Sequence, residues 1–158
     1  MTYQACFSVP HTTLGIRCNE DTVTEILFLP HSTPASAPTN ALAEKVCQAL
    51  DRYFNDPTTQ FDLPLAIRGT PFQQRVWAAI AAVPAGETIT YRELAERVGS
   101  GPRAVANACG ANHFPIVIPC HRIVATNGLG GFMSGRKSDS LDIKRWLLAH
   151  ERNAASAA

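Results

Sequence analysis

A cysteine, a histidine and an arginine stand in a row at Cys120-His121-Arg122, after the apolar run Ile116-Val117-Ile118 and Pro119. The thiolate, not the thiol, is the nucleophile, and cationic neighbours lower a thiol's pKa toward neutrality. Such a short run suits a structural cysteine as well as a reactive one. What the rest of the chain brings to Cys120 decides between them.

The chain has 158 residues, enough for one domain or two small ones. At 46% hydrophobic and 17% charged its composition is that of an ordinary globular protein. No apolar run approaches the roughly 20 residues that cross a membrane. The start, Met1-Thr2-Tyr3-Gln4, has neither the basic nor the apolar region of a signal peptide. A cytoplasmic location without membrane association is expected. The five cysteines, Cys6, Cys18, Cys47, Cys109 and Cys120, are odd in number and share no CxxC spacing. That argues against a disulfide framework and against a compact zinc knuckle. Charge is unevenly spread. Residues 1–67 hold three basic groups against seven acidic, a net −4; residues 68–151 hold ten against six, a net +4. The second half alone is suited to a polyanion.

The elements that must position Cys120 read as an α/β first domain over 1–67, a mainly helical second domain over 68–151, and a tail over 152–158. Tyr3 to Val9, Leu14 to Cys18 and Val23 to Leu29 predict strands. Residues 30–38 have loop composition. Leu42, Val46, Leu50, Tyr53 and Phe54 recur at helical spacing, ended by Asn55-Asp56-Pro57. Residues 58–69 read as a connection with a short extended piece at Leu65-Ala66-Ile67. Thr70-Pro71-Phe72-Gln73 is a capping box with proline at the first helical position. Pro84-Ala85-Gly86 breaks the chain, and Thr90-Tyr91-Arg92-Glu93 is a second capping box, opening a helix through Val98. Gly99-Ser100-Gly101 is a tight turn, and Pro102-Arg103 starts an alanine-rich helix through about Gly110. This pair of helices reads either as a helix-turn-helix or as an ordinary αα-hairpin. With Ala104, Ala106, Ala108 and Ala111, the second helix could approach a groove closely, but it offers few side chains to read base edges.

One ordered set now becomes specific. It comprises Thr70-Pro71-Phe72-Gln73-Gln74, Trp77, Gly86, Thr90-Tyr91, Pro102-Arg103-Ala104-Val105, Asn112, Ile118-Pro119-Cys120-His121-Arg122, Gly131-Phe132, and Lys144-Arg145-Trp146-Leu147-Leu148-Ala149-His150-Glu151. The set resembles the O6-alkylguanine-DNA alkyltransferases, the methylated-DNA–protein-cysteine methyltransferases, densely over residues 70–151. The resemblance implies a ribonuclease-H-like first domain and a helix-turn-helix in the second. It implies direct reversal of O6-alkylguanine damage in double-stranded DNA by a monomer needing no cofactor. Each molecule would act once. Activity on O4-alkylthymine stays open. Cys120 matches the alkyl acceptor, His121 the base that withdraws its proton through a water, and Glu151 the carboxylate that orients the histidine. Asn112 matches the brace of the turn carrying the cysteine. Tyr91 matches the tyrosine that pushes on the phosphate and can give the leaving guanine a proton. Arg103 matches the finger that fills the space of an extruded nucleotide, with Ala104 and Arg122 expected at the DNA. Phe132, Met133, Ser134 and Gly135 match the wall of the base pocket.

Chemistry favours these residue types independently. Displacement at an alkyl carbon needs a soft nucleophile such as a thiolate. Guanine leaves poorly unless protonated, so a placed hydroxyl helps. The target lies inside a duplex, and flipping it out costs a few kcal/mol. Two rivals remain: a non-enzymatic damage-binding or regulatory protein, against which Cys120 speaks, and a Cys-His-Glu hydrolase unrelated to DNA. The chain also departs from the family's pattern. The turn 99–102 is shorter by about two residues, Met133 replaces a small wall residue, and 136–143 forms a longer segment in which Arg136 and Lys137 could meet phosphate. Some relatives bind zinc in the first domain through two cysteines and two histidines. Cys6 has a counterpart among those ligands, but Thr24 and Asp62 fall where histidines are needed, so no metal is expected.

Overall fold

The computed structural model describes residues 3–130 and 140–157, and the chain divides into a unit ending at Ile67 and one beginning at Arg68. The first unit is an antiparallel meander, β1 (Ala5–Val9), β2 (Thr12–Cys18) and β3 (Val23–Leu29), followed by α1 (Ala41–Asn55). Ala5 faces Ile16 across the first pair, and Ile16 faces Ile26 across the second. β2 begins two residues before its expected start because Thr12 and Thr13 pair with Val9 and Ser8. Leu14, Ile16, Val23 and Ile26 from the sheet, and Val46, Leu50 and Tyr53 from the helix, are buried to 1% exposure or less. Asn40 caps α1, its Oδ1 accepting from the Ala43 amide at 2.8 Å. The extended piece near Leu65 is real but short: Leu65 bridges Val23 in parallel, and Ala66 donates to the Val23 carbonyl.

The second unit is built from α2 (Pro71–Ala81), β4 (Ile89–Thr90), α3 (Tyr91–Val98), α4 (Pro102–Gly110), the 3-10 turn η1 (Cys120–Arg122), β5 (Ile123–Val124) and α5 (Ser140–Ala157). Both expected capping boxes form, with Thr70 paired to Gln73 and Thr90 to Glu93. Gly99 ends α3 in the left-handed conformation at φ 69°, which glycine adopts without a Cβ penalty. Trp77 ties α2 to α4, its indole donating to the Ala108 carbonyl at 2.8 Å. The buried stripe of α5 is Ile143, Lys144, Leu147, Leu148 and Glu151. That is one helical face, and two of its members are charged. The helix continues through Ala157, past the expected boundary at 151, and its first turn takes in residues 140–143 of the segment read as a long loop.

Two short strands absent from the sequence reading bring the chemistry together. β4 and β5 pair in parallel, Ile89 with Ile123 and Thr90 with Val124. Thr90 is also the N-cap of α3, so one two-residue ladder places the start of that helix beside the chain leaving Cys120-His121-Arg122. Both strands are too short for a period-2 pattern to show.

Thr90 therefore has two jobs, cap and ladder. Its side chain accepts from the Glu93 amide at 3.1 Å. Thr90→Ala is expected to lower stability by about 1 kcal/mol, the usual worth of such a cap. A urea titration reads this as a lower midpoint at unchanged slope.

Candidate active site

Cys120 sits on a turn held from inside. Asn112 is buried just beyond α4 and spends its whole amide on the segment ahead. Its Oδ1 accepts from the Phe114 amide at 2.8 Å, and its Nδ2 donates to the Ile118 carbonyl at 2.8 Å. The same Nδ2 lies 3.3 Å from Cys120 Sγ. Ile116, read from sequence only as part of an apolar run, holds φ at 75°, which is costly for a β-branched residue. The strain is offset by what surrounds it: Ile116 is 2% exposed, and Ile118 donates to the Phe114 carbonyl at 2.8 Å. A strained, braced loop thus delivers Cys120 to the start of η1.

His121 follows, fully buried, with its Nε2 2.7 Å from Glu151 Oε2. With Glu151 ionised, this bond places a proton on Nε2 and leaves Nδ1 as the basic lone pair. Nδ1 is buried and has no hydrogen-bond partner among the described residues. It is the atom available to take a proton. Burial lowers the histidine's pKa, against the raising effect of Glu151 and with the help of the Arg122 and Lys144 charges. Burial likewise raises the Cys120 thiol, against the Asn112 hydrogen bond and the Lys144 charge, which lower it. Both shifts favour a thiol beside a neutral imidazole.

Arg122 corrects an expectation. Assigned from sequence to the DNA, it is 9% exposed and turned inward. Its Nε and Nη2 donate to the two Glu151 oxygens at 2.9 Å each, and its Nη1 to the Val83 carbonyl at 2.7 Å. A buried guanidinium needs such partners, and a carboxylate matches its fork. Arg103 is exposed in the first turn of α4, with Ala104 half-buried beside it.

Tyr91 opens α3 and is half-buried. Burial raises its phenol, as do nearby Cys109 and Cys120. Gly130 packs closely against it: at φ 71°, a Cβ there would stand 2.8 Å from Tyr91 Cε2 and 3.2 Å from the Ala125 amide nitrogen. Only glycine allows that approach. Phe132, Met133, Ser134 and Gly135 lie outside the described residues.

Two further buried side chains lie near Cys120. Lys144, quoted only within a motif, is fully buried and donates to the Ile123 carbonyl at 2.7 Å and the Leu129 carbonyl at 2.6 Å. Burial pulls its pKa down to about 8. Its signal was available, since it shares a helical face with Ile143, Leu147 and Leu148, where a charge is out of place. Cys109 is a second buried thiol near Cys120, pushed up to about 12 chiefly by burial. In the first unit, Cys18 bonds Asn40 and Cys47 is pushed up to about 11, again chiefly by burial. No group of three or more histidine, cysteine or acidic side chains is placed to hold a metal ion among the described residues.

Known proteins resemble this chain in sequence and fold. Residues 71–153 match the 6-O-methylguanine DNA methyltransferase DNA-binding domain. A methylated-DNA–protein-cysteine methyltransferase of Methanosarcina mazei is 38% identical over 143 residues, 85% of this chain and 87% of that protein. The bifunctional transcriptional activator/DNA repair enzyme Ada of Escherichia coli is 41% identical over 126 residues, 77% of this chain but only 36% of that longer protein. The Mycobacterium tuberculosis OGT, solved in complex with DNA, superposes with a TM-score of 0.80 at 32% identity, over 94% of this chain and 92% of that one. Cysteine, histidine, carboxylate and brace all fall inside the matched domain, and the chain belongs to the 6-O-methylguanine DNA methyltransferase family.

Proposed function

We infer that this protein repairs O6-alkylguanine in double-stranded DNA by moving the alkyl group irreversibly onto Cys120. The observation that carries the reading is the buried relay: Sγ held by Asn112, and His121 fixed by Glu151 with Nδ1 left basic. Sγ attacks the alkyl carbon, a C–S bond forms, and the bond from that carbon to guanine O6 breaks. The thiol proton passes through a water to His121 Nδ1. The departing guanine takes a proton from the Tyr91 hydroxyl. The thioether has no good leaving group, so the thiol is not regenerated.

DNA engagement falls to the second unit. On this reading α3, the Gly99 turn and α4 act as a helix-turn-helix, and Arg103 enters the base stack where the nucleotide has left. Support comes from the exposed arginine at the start of a low-profile helix and from the +4 charge of residues 68–151. The same reading gives the first unit a ribonuclease-H-like description, in keeping with its β1-β2-β3 meander followed by α1. It makes the protein a monomer, since cysteine, base and carboxylate come from one chain. Five free thiols fit a reducing, cytoplasmic setting. No helix among the described residues is long and apolar enough to cross a membrane.

Stoichiometry tests the chemistry. Product from an O6-methylguanine duplex should rise to one equivalent and stop, with one methyl mapped to Cys120 by mass spectrometry. Cys120→Ser should bind the duplex and transfer nothing, because a hydroxyl is a poor nucleophile toward an alkyl carbon. Turnover beyond one equivalent sinks the reading.

The histidine's lowered pKa fixes the sign of the pH dependence. Protonating His121 removes the base, and burial delays that protonation to lower pH. The rate of transfer should therefore persist below histidine's ordinary value of about 6.5 before it falls. An acid limb centred above that value contradicts a buried neutral base.

Arg103→Ala separates extrusion from chemistry. Transfer in duplex DNA should drop at least tenfold while reaction with free O6-benzylguanine changes little, because only the duplex needs the vacated space filled. Equal losses on both substrates would falsify the finger.

A further inference from the structure

The arginine beside the catalytic pair is buried against the carboxylate that orients the base. Glu151 Oε2 accepts from two donors, His121 Nε2 at 2.7 Å and Arg122 Nη2 at 2.9 Å, while Oε1 accepts from Arg122 Nε at 2.9 Å. The fork fixes the plane of the carboxylate, and so the direction from which Oε2 meets the imidazole. The guanidinium is itself held, because Nη1 donates to the Val83 carbonyl just beyond α2.

We propose that Arg122 is a positioning residue for alkyl transfer: by clamping Glu151 and sharing its Oε2 with the imidazole, it keeps His121 neutral at rest and ready to accept the thiol proton. This rests on His121 being the base, as argued above.

The charge balance gives the reason. Arginine stays protonated in proteins, so Arg122 and Glu151 form a neutral buried pair. Beside a neutral pair, an imidazolium would be a net buried charge, which low dielectric disfavours. Without the Arg122 charge, the same imidazolium would face the Glu151 carboxylate with less opposing charge and would be favoured. Protonation of His121 would then begin at higher pH, leaving fewer neutral imidazoles to take the proton of Cys120. Other groups near the imidazole modify this without replacing it. Lys144, also on α5, opposes protonation. Arg75, the one ionisable residue of α2, is turned away, bonding the Val98 carbonyl and lying over Phe72. β4 and β5 carry no ionisable side chain.

The test reads the proton affinity of His121 directly. The imidazole is titrated by NMR in wild type, Arg122→Met and Arg122→Lys, and the single-turnover methyl-transfer rate is followed over the same pH range. In Arg122→Met the His121 midpoint should rise by about one pH unit, a common effect of one neighbouring charge. The acid limb of the rate should move up with it. Arg122→Lys keeps a charge but cannot fork, so its midpoint should lie between the two. A folded Arg122→Met with an unmoved midpoint, and a rate lowered equally at every pH, overturns the proposal. If Arg122→Met does not fold, Arg122→Lys carries the test alone, and a midpoint equal to wild type overturns it. The two readings fail separately: a wild-type protein that transfers no methyl refutes the repair function, while the NMR titration still decides what Arg122 does to His121.

Discussion

The Glu151 carboxylate is the point on which the second unit turns. It is 2% exposed and binds both His121 and Arg122. Taking a carboxylate out of water costs several kcal/mol, and the cost is met only when its oxygens are well partnered. Here the partners are two consecutive residues of η1. Their backbone must therefore be positioned for both at once, and the Val83 contact extends the demand to the end of α2. Removing one partner leaves the others buried and uncompensated. One carboxylate thus ties α5 to η1 and, through Arg122, to the segment just after α2.

On the other side of Cys120 the chain is held by neutral groups. Asn112 ties Phe114, Ile118 and the thiol together, and the left-handed Ile116 lies between those ties. Downstream, Lys144 fastens the carbonyls of Ile123 and Leu129. Cys120 is therefore bracketed by an amide brace before it and an ammonium brace after it. On the proposed reading, that bracing means the reacting atoms need little rearrangement.

Much of this was readable from residue order, for identifiable reasons. Capping boxes are local, so Thr70 and Thr90 announced their helices correctly. The acceptor, base, carboxylate and brace were assigned by resemblance to a family, and the structure brings Cys120 to Asn112 and His121 to Glu151. Arg122 was misplaced because a charge beside a nucleophile suggests a surface contact, whereas its partners lie 29 and 39 residues away in sequence. Those are tertiary facts with no local signature. β4 and β5 were invisible because two residues carry no period. Lys144 was legible in principle as a charge on an apolar helical face, and the motif reading passed over it.

The face of α5 that carries Lys144 and Glu151 acts as a ruler. The two residues are separated by seven positions, close to two full turns, so both point the same way about 10 Å apart along the axis. An extra residue in a turn can be absorbed by local rearrangement. One inserted between these positions rotates everything beyond it by about 100°. It would swing the carboxylate off the buried face while leaving the ammonium in place. The interval from 144 to 151 is thus fixed in length more strictly than in composition, and its intervening surface positions, such as Arg145 and Ala149, are free to change provided their number does not.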